Sequence, residues 1–180
     1  MKDPYESYAE LLQRYAASAN LISPRVLERL PQHLETARAY GALIPPGARV
    51  LDVGSGAGLP GIPLAIHRPD IELILAERRA KRAAFLDLAV SSLGLRNVRV
   101  YNGDVQKWEG RAAYVTAQAV APFDEVYRLV AHAADYPLTL IARKGPGWRK
   151  EAERLGAAVF HVKQLGPQAE LVALRLEGPC

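Results

Sequence analysis

With 180 residues, 49% of them hydrophobic and 23% charged, the chain has the size and make-up of one globular domain that can bury a full core. No stretch nears the roughly 18–20 uninterrupted apolar residues of a membrane span. The start, Met1-Lys2-Asp3-Pro4-Tyr5-Glu6, has no signal-peptide core, and the lone Cys180 excludes an intrachain disulfide or a cysteine metal site, so the expected setting is the cytoplasm with no membrane partner. The net charge is only +4, from 23 basic against 19 acidic residues, so any affinity for a polyanion depends on where the cations sit.

Tyr5, Tyr8, Leu11, Leu12 and Tyr15 follow helical spacing and predict a helix over 3–18, started by Asp3-Pro4. Asn20-Leu21-Ile22-Ser23-Pro24 breaks it. A second helix is expected from Ser23-Pro24 to about residue 40, with Val26, Leu27, Leu30, Leu34 and Ala37 on one side. Gly41 and Ile44-Pro45-Pro46-Gly47 close this helical preface, residues 1–46, which is expected to pack on a domain of residues 47–180. From Arg49 onward strands and helices alternate, the pattern of a mostly parallel sheet with helices on both faces. Strands are expected at 49–53, 71–76, 98–101, 113–119 and 138–142, and helices at 79–93, 123–133 and from Pro146 to about 155. Segments 159–164 and 171–176, parted by Gly166-Pro167, read as a closing antiparallel hairpin, which makes seven strands in all.

The turn after the first strand is the most informative stretch. Arg49-Val50-Leu51-Asp52-Val53 is a buried-strand run, and Gly54, Gly56 and Gly58 alternate with small residues directly after it. The apolar run resumes at Leu59-Pro60-Gly61-Ile62-Pro63-Leu64, with proline suited to the first turn of a helix. Strand, glycine turn and helix start form the opening unit of a nucleotide- or cofactor-binding sheet. Gly56 to Gly61 matches the dinucleotide fingerprint, with Glu77 coming 19 residues after Gly58. The wider string Asp52-Val-Gly54-Ser-Gly56-Ala-Gly58 resembles motif I of class I methyltransferases. A carboxylate at the strand end repels a pyrophosphate, which prefers bare amides, and suits the cationic end of S-adenosylmethionine.

Glu77, at the end of the second strand, is placed to accept ribose hydroxyls or else to cap the next helix. Asp104 follows the third strand in a Gly-Asp turn and suits either an adenine amino group or an Asx-turn. Arg78, Arg79, Lys81 and Arg82 crowd a helix start, where the helix dipole disfavours cations. Arg143, Lys144, Arg149, Lys150 and Arg154 form a second basic group around Gly145-Pro146-Gly147-Trp148. Two such groups beside one cleft point to an anionic polymer, although solvated faces are the commoner meaning of charge runs. Trp148 suits core packing or base stacking. His33, His67, His132 and His161 have no metal or catalytic spacing, and no nucleophile elbow or Walker loop is present. Methyl transfer to a lone pair such as guanine N7 needs placement more than proton removal.

These features together resemble the bacterial small-subunit ribosomal RNA guanine-N7 methyltransferase family, also called glucose-inhibited division protein B. The likeness runs through Val50 to Leu64, with its G-L-P-G-I-P-L continuation, through Asn20-Leu21, through Lys81-Arg82-Ala-Ala-Phe85-Leu86, and through Lys144-Gly145. It implies a class I S-adenosylmethionine-dependent methyltransferase (Rossmann-like) fold. The implied reaction is N7-methylation of a guanosine in 16S ribosomal RNA, leaving S-adenosyl-L-homocysteine, by a monomer acting on the RNA or the small subunit. By the resemblance, Asp52, Gly54, Ser55, Gly56, Gly58, Glu77, Arg78, Asp104 and Val105 hold the cofactor. Lys144 and Gln118 occupy the catalytic positions, and Arg79, Lys81, Arg82, Arg143, Lys144, Arg149 and Lys150 face RNA. The chain departs from the family's R-H-x-x-D-S with Leu30-Pro31-Gln32-His33-Leu34-Glu35-Thr36, and from its S-R-A-F-A with Ala117-Gln118-Ala119-Val120-Ala121. Gln118 brings no positive charge, which leaves two alternatives: a relative that binds cofactor and RNA with little transfer, or a methyltransferase of another RNA or a small molecule.

Overall fold

The computed structural model describes residues 2–18, 20–118 and 120–180. Helix α1 (Pro4–Tyr15) begins where Asp3 accepts the amide of Tyr5 and Pro4 fills the first turn. The single helix expected over 23–40 is instead two, α2 (Pro24–Glu28) and α3 (Leu30–Gly41). Pro31 has no amide to offer the preceding turn, so the chain breaks at Arg29 (φ −97°, ψ 12°) and restarts with the proline in the first turn of α3.

The sheet comprises β1 (Arg49–Val53), β2 (Glu72–Glu77), β3 (Val98–Asn102), β4 (Ala112–Gln118), β5 (Ala134–Lys144), β6 (Ala158–Gly166) and β7 (Ala169–Leu176), in the order β3-β2-β1-β4-β5-β7-β6. Every pair is parallel except β5 with β7 and β6 with β7. Ala119, the expected last residue of β4, lies outside the described residues. Strand β5 starts at Ala134 rather than at residue 138. Its first residues hold a register shift against β4 and include Pro137, which cannot donate to a ladder, so the regular pattern begins only at Leu138. The connecting helices are α4 (Gly61–His67), α5 (Ala80–Ser92), α6 (Phe123–Val130) and α7 (Trp148–Leu155). A 3-10 turn, Ala131–Ala133, replaces the expected last turn of α6.

Side chains alternate across the sheet and meet a different set of helices on each face. Leu51, Val53, Ile74, Val115 and Leu140 pack with Phe123, Val126, Trp148 and Leu155 of α6 and α7. Val50, Leu73, Leu75 and Ile141 pack with Leu64 and Leu86 of α4 and α5, and also with Tyr8, Leu12, Leu30 and Tyr40 of the preface. The preface therefore completes one of the two core layers. Its tyrosines reach further, toward the carboxyl ends of the strands. The Tyr8 hydroxyl donates to the Ala57 carbonyl (2.7 Å), while the Tyr40 hydroxyl donates to Ala117 O (3.2 Å) and accepts from Arg143 N (2.8 Å). Strand order reverses between β1 and β4, which is where an open sheet of this kind offers a crevice. Among the described residues no helix is long and apolar enough to cross a membrane.

Candidate functional site

A cavity of about 550 Å³ opens at the carboxyl ends of β1 to β4, within the size range of small-ligand pockets. Gly54, Gly56 and Gly58 turn the chain there through left-handed conformations, with φ of +65°, +56° and +91°. A Cβ on Gly58 would lie 2.5 Å from Ile62 Cγ1, and one on Gly61 would lie 2.4 Å from Leu75 Cδ2, so these two glycines let α4 close against the sheet. The Ser55 amide donates to Ala76 O (3.1 Å), which pins the turn to β2.

Glu77, only 5% exposed, holds the other side of the turn. Its Oε2 accepts the Gly56 amide (3.0 Å) and its Oε1 the Arg79 amide at the start of α5 (2.8 Å). Capping and cavity lining, alternatives in the sequence, are thus combined in one carboxylate. Each oxygen keeps lone-pair capacity for donors in the cavity. The Gly56 amide, which a pyrophosphate would need, is already taken by a negative charge. A turn so built suits a ligand with hydroxyls and no phosphate. Asp104 lines the cavity beside buried Val105 and forms the Asx-turn, with Oδ1 accepting Gln106 N (3.0 Å) and Oδ2 taking no bond from the described residues. Glu77, Asp104 and Val105 thus line one wall of the cavity with two carboxylates and an apolar side chain.

Of the other expected cofactor residues, Gly54, Ser55, Gly56 and Arg78 line the cavity, and Asp52 and Gly58 do not. Asp52 is 1% exposed beneath the turn. Its Oδ1 accepts the Thr116 hydroxyl (2.7 Å), because Asp52 and Thr116 are register partners on β1 and β4. Its Oδ2 is buried with no partner among the described residues, and burial pushes the carboxyl up to about 7 against the opposing hydroxyls of Thr116 and Ser55. Asp52 thus stands behind the turn, with the glycines between it and the cavity.

The catalytic pair also separates. Gln118 lines the cavity, with its Nε2 3.4 Å from His33 Nδ1. Burial, then Arg143 and Arg29, lower the His33 pKa. Lys144 does not line this cavity; it is 12% exposed, with Nζ 2.6 Å from Glu151 Oε2 and over the Phe123 ring. Among the expected RNA contacts, Arg79 and Arg82 are on the cavity wall, and Arg82 Nη2 donates to Asn20 O (2.8 Å). Lys81, Arg143, Arg149 and Lys150 are exposed beyond it, with Arg149 stacked over Trp148 and 4.0 Å from Glu170. Trp148 itself is 1% exposed and donates to Glu170 Oε2 (2.5 Å), so packing is its role and base stacking is ruled out. Among the described residues no cluster of His, Cys, Asp or Glu could hold a metal ion.

The roof of the cavity, Leu21, Ile22, Ser23 and Val26, was not foreseen as part of the site, nor was His33 beside Gln118. The roof belongs to a loop and one short helix, where no periodicity marks a functional face. The only pointer to it was the Asn20-Leu21 likeness.

The sequence matches the family described as "GidB: rRNA small subunit methyltransferase G" over residues 1–169. It is 40% identical over 171 residues to the ribosomal RNA small subunit methyltransferase G of Acidothermus cellulolyticus, covering 93% of this chain and 76% of that protein. Identity to the protein of the same name from Thermobifida fusca is 43% over 151 residues, covering 82% of this chain and 63% of that one. The fold is similar to that of the magnesium protoporphyrin IX methyltransferase of Synechocystis PCC 6803 with bound SAM, with a TM-score of 0.67 at 15% identity over 97% of this chain and 98% of that one.

Proposed function

Because the chain belongs to the rRNA small subunit methyltransferase G family, we propose that it transfers a methyl group from S-adenosylmethionine to N7 of a guanosine in 16S ribosomal RNA, acting as a monomer on the small subunit. The observation that carries the cofactor half is the Glu77 carboxylate, held by the amides of Gly56 and Arg79 in the cavity wall. It accepts both ribose hydroxyls of an adenosyl group, while Asp104 takes the adenine amino group and Val105 packs on the ring. Gly54 and Ser55 bring bare backbone close to the amino-acid end. When bound, the cofactor supplies a methyl group already activated on a sulfonium.

The chain's own task is then placement. Guanine N7 has a free lone pair at neutral pH, so no general base is required. Gln118, neutral and on the wall, offers a hydrogen-bond donor and an acceptor to the incoming base. The roof of Leu21, Ile22 and Val26 keeps water from the transfer. Exposed cations on both flanks, Arg79 and Lys81 on one and Arg143, Arg149 and Lys150 on the other, draw in the polyanion.

The test is incubation of the protein and methyl-labelled S-adenosylmethionine with small subunits that lack the modification. One methyl per particle is expected, mapped to N7 of a guanosine. Label on another atom, or no label while S-adenosylhomocysteine binds, overturns the transfer reading.

A further inference from the structure

Beside the cofactor cavity lies a second concavity of about 620 Å³, between α3 and the turn that joins β6 to β7. A smaller hollow of about 150 Å³ runs on from it toward His33 and Val26. Arg29, Gln32, Thr36 and Arg143 line both, so the two form one groove. Its cations are Arg25, Arg29, Arg143 and Lys163, set against the single carboxylate of Glu35. Among the described residues none of the four cations is in an ion pair. In contrast, Lys144 is neutralised by Glu151, and Arg154 by Asp124. All four are exposed along one concave wall, so they present a positive field to an approaching polyanion. Burial, and after it Arg143 and Arg29, lower the pKa of His33 at the end of the groove.

Sheet order relates this groove to the chemistry. Glu77 and Asp104, at the ends of β2 and β3, fix the adenosyl end of the cavity. In the order β3-β2-β1-β4-β5, the reactive end must then lie over β1 and β4, toward Gln118. Gln118 is the register partner of Arg143, and its side chain meets His33, so the pair stands where cavity and groove adjoin. The cations of α5 sit at the opposite, adenosyl end.

We infer that the groove between α3 and the β6–β7 turn is the track for the single-stranded RNA flanking the target guanosine, with Arg25, Arg29, Arg143 and Lys163 on its phosphates and the Gln118–His33 pair at the doorway to the methyl. The inference rests on the proposed function, since it assumes an RNA substrate. A base that must reach a methyl group in a cavity leaves its stack, so the strand beside it is locally unpaired. Gln32, Gln164 and Gln168 on the groove wall supply hydrogen bonds to base edges and 2′-hydroxyls.

The experiment compares the wild type with the double variant Arg29→Glu/Lys163→Glu and with Lys81→Glu, all exposed positions outside the cofactor cavity. Binding of a single-stranded ribosomal RNA fragment is followed against salt, methyl transfer to small subunits is followed in parallel, and S-adenosylhomocysteine affinity is the fold control. The double variant is expected to lose about 1.4 from the log–log salt slope, about 0.7 per phosphate contact. Transfer should drop at least about tenfold, with S-adenosylhomocysteine affinity unchanged. An unaltered slope in the double variant overturns the track, and a slope lost only in Lys81→Glu assigns the RNA to the α5 side instead. Should the wild type bind RNA without transferring methyl groups, the proposed function falls while the slope still decides the track.

Discussion

A carboxylate taken out of water with one of its oxygens unpartnered favours its neutral form, and Asp52 is such a group. Its folded pKa of about 7 stands above the ordinary 3.8 of an unfolded chain. Between those two values the native state holds a proton that the unfolded state has released. Asp52 therefore favours folding below about pH 4, and that contribution is lost as pH rises toward 7. Asp52→Asn keeps an oxygen for the Thr116 hydroxyl and removes the ionisation. The stability gap between variant and wild type should widen in the variant's favour from pH 4 to pH 7.5, by at most on the order of 4 kcal/mol. Urea unfolding at several pH values measures it, and a gap that does not change with pH refutes the account. The same residue shows how much of the site was legible. Asp52 pointed to an adenosyl methyl donor rather than a dinucleotide, yet in the fold it is Glu77, not Asp52, that occupies the Gly56 amide of the turn. Which carboxylate bonds which amide depends on the packing of two strands, and residue order alone does not contain it. The ion pair of Lys144 with Glu151 was illegible for a related reason, since α7 supplies Glu151 only once the chain has folded.

At the scale of elements, the alternation of strand and helix after Arg49 was readable because the inner strands β1 and β2 are buried almost throughout, while the edge strands β3 and β6 are largely exposed. Boundaries failed where a local event outweighed periodicity, as at Pro31 between α2 and α3 and at the irregular start of β5. The unit of β1, glycine turn and α4 is the part most tightly specified by its residues. Gly58 combines a φ of +91° with an absent Cβ that would meet Ile62 Cγ1 at 2.5 Å, and Ile62 is fully buried and has no room to yield. Gly47 has a similar φ of +72° but open space around it. Alanine at either position incurs backbone strain. Alanine at 58 adds overpacking, so Gly58→Ala should be about 2 kcal/mol more destabilising than Gly47→Ala in denaturant unfolding. Equal losses would mean that α4 can slide away from the sheet. The cofactor cavity would then be less rigidly framed than these contacts require.

For the whole molecule, the question is whether the preface and the sheet are separable. A boundary near residue 46 is natural in the sequence, since Pro45, Pro46 and Gly47 punctuate the chain there. The packing argues that the two parts fold as one unit. Tyr8, Leu12, Leu30 and Tyr40 are at most 5% exposed, and they cover the same core layer as Val50, Leu64 and Leu73. Removing residues 1–46 would uncover that layer, and large apolar patches of this kind drive a chain toward loosened or associated states. The deletion would also take away the cavity roof, the Tyr8 bond to the glycine turn, and the Tyr40 bonds that join β4 to β5 beside Gln118. The segment 47–180 alone should therefore keep far-ultraviolet dichroism while losing near-ultraviolet dichroism, bind a hydrophobic dye, and fail to bind S-adenosylhomocysteine. A cooperative melt with intact affinity in that segment would instead make the preface an accessory. Tyr40→Phe separates roof from core, because it retains the ring and deletes the hydroxyl that accepts Arg143 N and donates to Ala117 O. Its stability loss should be about 0.5–1.5 kcal/mol, from the lost bonds of a buried hydroxyl to a part-buried amide and a carbonyl. Methyl transfer should fall more than cofactor affinity, because the displaced strand ends carry Gln118 and Arg143, on the substrate side of the cavity.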